Sequence, residues 1–235
     1  MKIKRFQDSV TLAQAVAQEL AAMLAATGNV GFATGRTMDP IYEALVKLAP
    51  RVSAQVWMLD EYLGLSAEDP RSYRYYLQTR VFRPLQVPPA QIHLPQLEVL
   101  APEAAALAYE AELQRLGGLR LQLLGLGLNG HLGLNEPGST LLERTRIVKI
   151  AEKTRVSNQS FFASLSEVPT HALTLGLATL NDAQELWLIV SGAAKADILQ
   201  QVLEGPVTTQ VPASLLRDHP GLIVFVDEAA ASRLA

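Results

Sequence analysis

The chain has no cysteine among its 235 residues. Disulfides, thiolate nucleophiles and cysteine-based metal sites are therefore excluded. Basic residues are not in excess either, since the formal net charge is −3 at pH 7 and the pI is about 5.8. Such a chain is poorly suited to neutralise a nucleic-acid backbone or to coat an anionic membrane. We expect neither nucleic acid nor a membrane as a partner.

Long apolar runs are also lacking. The basic residues at the start of the chain are followed by a segment that Gln14, Gln18 and Glu19 interrupt, which is not the pattern of a signal peptide. No other apolar stretch has the length of a membrane span, so we predict a cytoplasmic protein. Because 49% of the residues are hydrophobic, a sizeable core is available, and we predict a single domain over residues 1–235.

Apolar residues alternate between helical and strand-like spacing along the chain. A first helix is predicted from an N-cap at Ser9, with apolar residues through Leu24 and an end near Gly28. Further helices are predicted from Pro40 onward and at 72–81, 102–116, 193–203 and 214–218. Buried strands are predicted at 30–33, 54–59, 119–124, 172–175, 185–190 and 222–226.

Continuously apolar strands that alternate with helices are typical of an α/β fold. The prediction is a doubly wound, mostly parallel, Rossmann-like sheet with helices on both faces. Ligands of such sheets bind beyond the carboxyl ends of the strands. This points to the loops after Ala33, Leu59, Leu124 and Val190 as candidate sites.

The first of these loops reads Thr34, Gly35, Arg36, Thr37 and lies between a predicted strand and a predicted helix. Free backbone N–H groups and the helix dipole favour an anion at such a place, and the guanidinium of Arg36 can meet two phosphate oxygens at once. The segment is therefore a candidate phosphate site. The alternative is an ordinary turn with a threonine cap.

The second loop begins with Asp60 at the end of a buried strand. A carboxylate placed there is partly desolvated and could act as a general base toward a carbon acid. The alternative is that Asp60 caps the following turn or pairs with an arginine.

The third loop, residues 124–138, is rich in glycine and carries His131 and Glu136. The glycines allow backbone conformations and close approaches that side chains would block. A group that titrates near neutrality and a carboxylate in one short segment suit proton transfer to a sugar ring oxygen. We expect this loop to wrap a ligand.

Lys195 follows a glycine after the predicted strand 185–190 and could bind phosphate as a point charge, or it could be a solvated lysine. The other histidines, His93, His171 and His219, show no metal-ligand spacing and receive no role.

Several of these segments together resemble the glucosamine-6-phosphate deaminase family, within the superfamily that also contains 6-phosphogluconolactonases. The resemblance runs through nearly the whole chain, in order. It rests on Asp-Glu-Tyr at 60–62, on Asn-Gly-His-x-Gly-x-Asn-Glu-Pro-Gly at 129–138, and on the segments 173–183 and 192–195. The lactonase loop usually continues differently after its Gly-His pair, which favours the deaminase branch.

The resemblance implies a catalytic role for several residues. Asp60 matches the base that moves a proton from C2 to C1 of the opened sugar, and His131 matches the residue that assists ring opening, supported by Glu136. The segment 34–37 and Lys195 match phosphate-binding positions. The implied reaction turns glucosamine 6-phosphate into fructose 6-phosphate and ammonia, without a metal or organic cofactor.

The sequence departs from the family pattern in two places. Asn129 stands where the best-known deaminases carry aspartate, and it can orient His131 but cannot accept a proton as a carboxylate would. Ser160 stands where the typical deaminase has an arginine for the phosphate, and Arg36 stands where the typical loop has glycine. We hypothesise that Arg36 replaces the missing guanidinium.

Other functions stay open at this point. The segment 207–214 is also similar to galactosamine-6-phosphate deaminase/isomerase relatives. A 6-phosphogluconolactonase and a non-catalytic sugar-phosphate sensor are further alternatives. The resemblance is to the shorter members of the family, which implies a monomer or small homo-oligomer without allosteric activation.

Overall fold

The computed structural model describes all residues, 1–235, and is built around a seven-stranded sheet. The strand order is β1-β10-β9-β6-β2-β3-β5, and every neighbouring pair is parallel. The strands of this sheet are β1 (Lys2–Phe6), β2 (Asn29–Phe32), β3 (Gln55–Met58), β5 (Ile92–His93), β6 (Leu121–Gly125), β9 (Glu185–Val190) and β10 (Leu222–Asp227). The predicted parallel α/β fold is confirmed.

Eight α-helices surround the strands. They are α1 (Ser9–Ala25), α2 (Asp39–Leu48), α3 (Tyr73–Leu77), α4 (Pro102–Arg115), α5 (Glu152–Asn158), α6 (Leu177–Asn181), α7 (Ala196–Glu204) and α8 (Glu228–Ala231). The N-cap of α1 is Asp8 and not Ser9, because the Asp8 carboxylate accepts hydrogen bonds from the N–H groups of Val10 and Thr11. None of these helices has the length and apolar character needed to cross a bilayer.

A second, three-stranded sheet lies beside the first and was not predicted. It is antiparallel and consists of β4 (Asp60–Tyr62), β8 (His171–Thr174) and β7 (Arg146–Lys149), in that order. The apolar run at 172–175 thus pairs outside the parallel sheet. Its pattern indicates burial, but burial does not specify which strand becomes the hydrogen-bonded neighbour.

The main core is one cluster of 54 buried apolar residues that extends from Leu12 in α1 to Ala231 in α8. A smaller cluster of six residues, including Tyr62 and Phe162, lies under the second sheet. The second sheet also contributes to the main core, through Leu173 of β8, and Asp60 begins the first strand of this sheet.

Candidate active site

The four loops singled out from the sequence lie side by side. They follow β9, β6, β2 and β3, which are consecutive neighbours in the parallel sheet, so their carboxyl ends share one edge. Starting from β2, the strands β3 and β5 follow toward one edge of the sheet. Starting from β6, the strands β9 and β10 follow toward the opposite edge. The resulting switch point, between β2 and β6, is where doubly wound sheets form a ligand crevice.

Residues 34–37 connect β2 to α2 at this edge. Gly35 has a φ of 113°, which favours glycine, and no atom lies within 4 Å of the place a Cβ would take. A cavity of about 300 Å³ opens beside the loop and is lined by Ser9, Leu12, Arg36, Thr37, Pro40 and Ser191. The loop, the amino terminus of α2 and the exposed Arg36 thus face a space of ligand size.

Arg36 reaches across to the segment that follows α5. Its Nη2 donates a hydrogen bond of 3.2 Å to Oγ of Ser160. The two departures from the family pattern are therefore neighbours in space, although 124 residues separate them in the chain.

Asp60 is buried at the start of β4, opposite Thr174 of β8. Its carboxyl group makes no hydrogen bond and no ion pair within the protein, so the alternatives of a turn cap or an arginine partner are wrong. Burial, together with the charge of the adjacent Glu61, raises the pKa of Asp60 to about 8. The group is free to meet a ligand, and a ligand cation would stabilise its ionised form.

Glu61 takes the capping role instead. Its carboxylate accepts hydrogen bonds from the backbone N–H groups of Tyr62, Tyr73 and Arg74 at 2.7, 3.1 and 2.7 Å. These bonds join the strand that carries Asp60 to the first turn of α3. Glu61 is a functional-site residue that sequence reasoning missed, because two of its three partners, Tyr73 and Arg74, lie more than ten residues away.

The side chain of His131 packs against Gly127 of the same loop. A Cβ on Gly127 would be 2.4 Å from Nε2 of His131, so the imidazole occupies the space that any side chain at 127 would need. The loop is tied to the second sheet, because the Leu134 N–H donates to Oγ1 of Thr174, the residue opposite Asp60. The histidine and Asp60 thus come from two segments that pack against each other.

Glu136 has a defined partner for each carboxylate oxygen. Oε1 accepts from the hydroxyl of Thr154, while Oε2 accepts from Nδ2 of Asn129 at 2.7 Å and lies 3.6 Å from Nδ1 of His131. Burial opposes ionisation, but the interactions with His131, Thr154 and Asn129 outweigh it and lower the pKa of Glu136 to about 2. Glu136 is therefore an anion facing a histidine nitrogen that has no other partner.

Asn129 contacts both His131 and Glu136. Its Oδ1 accepts from the backbone N–H of His131 at 3.2 Å, and its amide donates to Glu136, so it holds the loop and the carboxylate and not the ring.

Lys195 stands at the start of the helical segment after β9. Its ammonium donates to the carbonyl of Leu126 at 2.7 Å, which brings it beside the glycine-rich loop, and burial lowers its pKa. The turn before it is held by Asp227, whose buried carboxylate accepts from the Ser191 hydroxyl and the Gly192 N–H at 2.5 and 3.0 Å. The sequence pattern did not identify Asp227.

The segment 152–161 contacts three of the loops of this site. Thr154 meets Glu136, Asn158 donates to the Tyr62 hydroxyl at 2.7 Å, and Ser160 meets Arg36. The sequence singled out Ser160 only as a departure from the family pattern, and it gave no role to Thr154 or Asn158, because each partner is distant in sequence.

The remaining histidines lie in ordinary surroundings. His93 stacks on Trp57 and bonds to Gln55, His171 bonds to Thr170, and His219 bonds to the carbonyl of Ala183. The chain has no group of three His, Cys, Asp or Glu residues arranged to hold a metal ion.

A cleft of about 460 Å³ lies away from the site, near the amino ends of β2 and β3. Its charged and imidazole side chains are bonded to each other or to an amide, as in the pairs His93–Gln55 and Arg115–Glu112. The site at the carboxyl edge differs from this cleft because Nδ1 of His131 is buried without a hydrogen-bond partner and Asp60 is a buried carboxyl with a raised pKa.

The fold and the site define an α/β protein with a ligand crevice at the switch point of a doubly wound sheet, equipped with groups for acid–base chemistry. The chain belongs to the family described as glucosamine-6-phosphate isomerases/6-phosphogluconolactonase, which it matches over residues 7–225. The resemblance drawn from the sequence motifs is confirmed.

Curated relatives agree with this assignment. A glucosamine-6-phosphate deaminase of Shouchella clausii is 41% identical over 209 residues, which is 87% of this chain and 85% of that protein. A glucosamine-6-phosphate deaminase of Rhodopirellula baltica is 43% identical over 210 residues, covering 87% of this chain and 84% of that one.

Solved structures are similar over the full length. A structure described as a monomeric glucosamine-6-phosphate deaminase superposes with a TM-score of 0.95 at 35% identity, covering 99% of this chain and 100% of that one. A 6-phosphogluconolactonase from Leishmania guyanensis has a TM-score of 0.76 at 20% identity, covering 100% and 98%, and shares the fold.

Proposed function

We propose that this chain is an amino-sugar phosphate deaminase that converts glucosamine 6-phosphate and water into fructose 6-phosphate and ammonia. The observation that carries the proposal is the buried Asp60 on a strand whose neighbour Thr174 bonds to the loop of the His131–Glu136 pair, in a chain 41% identical to a deaminase over 87% of its length. A deaminating isomerase needs both a base for a carbon acid and a separate proton carrier for the ring oxygen.

Ring opening is assigned to the glycine-rich loop. His131 donates a proton to the ring oxygen as the C1–O bond to that oxygen breaks, and the C1 hydroxyl gives its proton to water as the aldehyde forms. Glu136, held as an anion, stabilises the charged form of the imidazole that this exchange requires. Asn129 keeps the Glu136 carboxylate in place.

The isomerisation is assigned to Asp60. Its carboxylate removes the proton from C2, the C–H electron pair forms a C1–C2 double bond, and the π pair of the C1 carbonyl moves to its oxygen, which takes the proton that the substrate ammonium releases. Asp60 then returns its proton to C1, while the nitrogen electron pair forms a double bond to C2 in place of the C1–C2 double bond. The resulting imine at C2 is hydrolysed by water, which releases ammonia. The ammonium group of the substrate lies next to C2, so it favours the ionised form of Asp60 against the burial that raises its pKa.

The phosphate is assigned to residues 34–37 and Lys195. Thr34, Gly35 and Thr37 supply backbone N–H groups and hydroxyls, and Arg36 and Lys195 supply positive charge. The contact between Arg36 and Ser160 supports the hypothesis that Arg36 replaces the arginine that the family usually carries at 160. The small serine leaves room for the guanidinium to approach from the other side.

The decisive experiment is to incubate the protein separately with glucosamine 6-phosphate, galactosamine 6-phosphate and 6-phosphogluconolactone. Ammonia, ketose phosphate and acid release are followed in each reaction. We expect ammonia and fructose 6-phosphate in equal amounts from the glucosamine compound. Acid release from the lactone without ammonia from either amino sugar would overturn the proposal, and binding without product would favour a sensor.

We further propose that residues 1–235 act as one domain and as a monomer in the cytoplasm. The apolar core that runs from α1 to α8 supports a single domain, and the relative with a TM-score of 0.95 is described as monomeric. A charged sugar phosphate does not cross a bilayer unaided, so its enzyme has to work where the substrate is made. Size-exclusion chromatography with light scattering should give the mass of one chain.

A further inference from the structure

Helix α5 presents two polar side chains to the site, Thr154 and Asn158. They are four residues apart and therefore lie on the same face of the helix. Thr154 is buried, and its hydroxyl donates to Oε1 of Glu136, 18 residues back along the chain. A threonine in a helix often bonds back to the carbonyl four residues earlier, but this hydroxyl makes its bond to the carboxylate instead.

The bond determines which oxygen of Glu136 serves the histidine. The terminal torsion of a glutamate is soft, so its hydrogen bonds decide how the carboxylate is rotated. Because Thr154 occupies Oε1, Oε2 is turned toward Asn129 and lies 3.6 Å from Nδ1 of His131. Nδ1 of His131 is buried and has no hydrogen-bond partner, so its approach to Oε2 depends on this rotation.

We propose that Thr154 is a positioning residue that holds Glu136 in the rotation at which its second oxygen meets His131. The inference rests on the proposed function of the His131–Glu136 pair. If Thr154 has this role, proton transfer at the ring oxygen requires α5 to be packed in its observed position, because Thr154 is part of that helix.

The chain offers a matched control. Thr179 on α6 is also buried, and its hydroxyl donates to a carboxylate oxygen of a buried glutamate, Glu110, at 2.8 Å. That bond lies outside the site described above. Thr154→Val and Thr179→Val therefore remove the same kind of hydrogen bond, one at the site and one in the scaffold, while Thr154→Ser keeps the hydroxyl.

We expect Thr154→Val to lower kcat by about tenfold or more, with KM changed by less than about threefold, because a hydrogen bond to a charged group is lost away from the phosphate. Thr154→Ser should restore kcat to within about threefold of wild type. Thr179→Val should lower the melting temperature and leave kcat unchanged. Equal kcat in Thr154→Val and wild type, or a loss that Thr154→Ser does not restore, would overturn the inference.

A second measurement does not depend on turnover. Long-range ¹H–¹⁵N spectra follow the four histidines, with the His131 signals assigned from their loss in His131→Gln. Thr154→Val should shift the Nδ1 signal of His131, and Thr154→Ser and Thr179→Val should not. If wild type fails to deaminate glucosamine 6-phosphate but this shift appears, the positioning role stands and the proposed function falls. If wild type is active and the shift is absent, the positioning role falls.

Discussion

Asp60→Asn should make the protein more stable at neutral pH while abolishing its activity. The ordinary pKa of an aspartate is 3.8, and burial beside Glu61 raises that of Asp60 to about 8. The unfolded chain therefore releases this proton near pH 4, but the folded protein keeps it until about pH 8. Wild type therefore loses stability as the pH rises from about 4 to about 8. The Asp60→Asn variant does not lose it, because its amide stays neutral.

The size of the effect follows from the same numbers. One pKa unit corresponds to about 1.4 kcal/mol, and about three pH units separate the ordinary pKa from pH 7, which gives about 4 kcal/mol as an upper value. If relaxation of the protein around Asp60 halves the cost of burying its charge, the stability difference is about 2 kcal/mol. For a chain of this size, 1 kcal/mol moves the melting temperature by about 2–4 °C. Asp60→Asn should therefore melt at least about 4 °C above wild type at pH 7.

The assay is urea unfolding and thermal melting of both proteins at a series of pH values from about 4 to about 8. The stability difference should be near zero at the acid end and grow steadily with pH. Asp218→Asn is the control, because that side chain is 89% exposed and its substitution should give no such trend. A pH-independent difference, or a less stable Asp60→Asn at pH 7, would refute the reasoning.

Three further predictions concern catalysis. Below about pH 8, kcat/KM should fall by about tenfold per pH unit, because the base Asp60 is then protonated in the free enzyme, and a flat profile between about pH 6 and 8 would exclude it as the base. Gly127→Ala should displace the His131 ring and lower kcat by about tenfold or more, whereas Gly125→Ala, whose Cβ would meet only Met38 at 3.8 Å, should be tolerated. Arg36→Ala should raise KM for the sugar phosphate by about tenfold with little change in kcat. Arg51→Ala, which lies before β3 and outside the site, is the control and should leave KM unchanged. An unchanged KM in Arg36→Ala would show that Arg36 does not bind the phosphate.

Local patterns in the sequence predicted the parallel sheet well. Apolar runs such as 185–190 and 119–124 mark buried strands because a strand covered on both faces has no polar side. The edge strand β1 escaped prediction, since Lys2, Lys4 and Arg5 leave only two apolar residues in it. The strand at 172–175 was found, but its antiparallel partners β4 and β7 were not, because spacing along one segment carries no information about its neighbour.

The candidate site was predictable where its residues follow strand ends or belong to a dense motif. Asp60, His131, Glu136, Lys195 and the segment 34–37 all come from such places. The residues that hold them were not predictable. The bonds from Thr154 to Glu136, Asn158 to Tyr62 and Ser160 to Arg36 span 18, 96 and 124 residues, so only the folded chain brings them together.

The contact between Arg36 and Ser160 links a pattern seen in the sequence to a distance seen in the fold. The sequence shows an extra arginine at one position and a missing one at another, and the fold places these side chains 3.2 Å apart. This is the arrangement that the proposed phosphate role of Arg36 requires.

The most direct test of the account follows one hydrogen atom through the reaction. Glucosamine 6-phosphate carrying deuterium at C2 is incubated with wild type and with Asp60→Asn, and the products are analysed by NMR. We predict that wild type forms ammonia and fructose 6-phosphate with part of the deuterium at C1, and that Asp60→Asn forms neither product. Deamination without any deuterium at C1, or undiminished deamination by Asp60→Asn, would contradict the assignment of Asp60 as the base that carries the proton from C2 to C1.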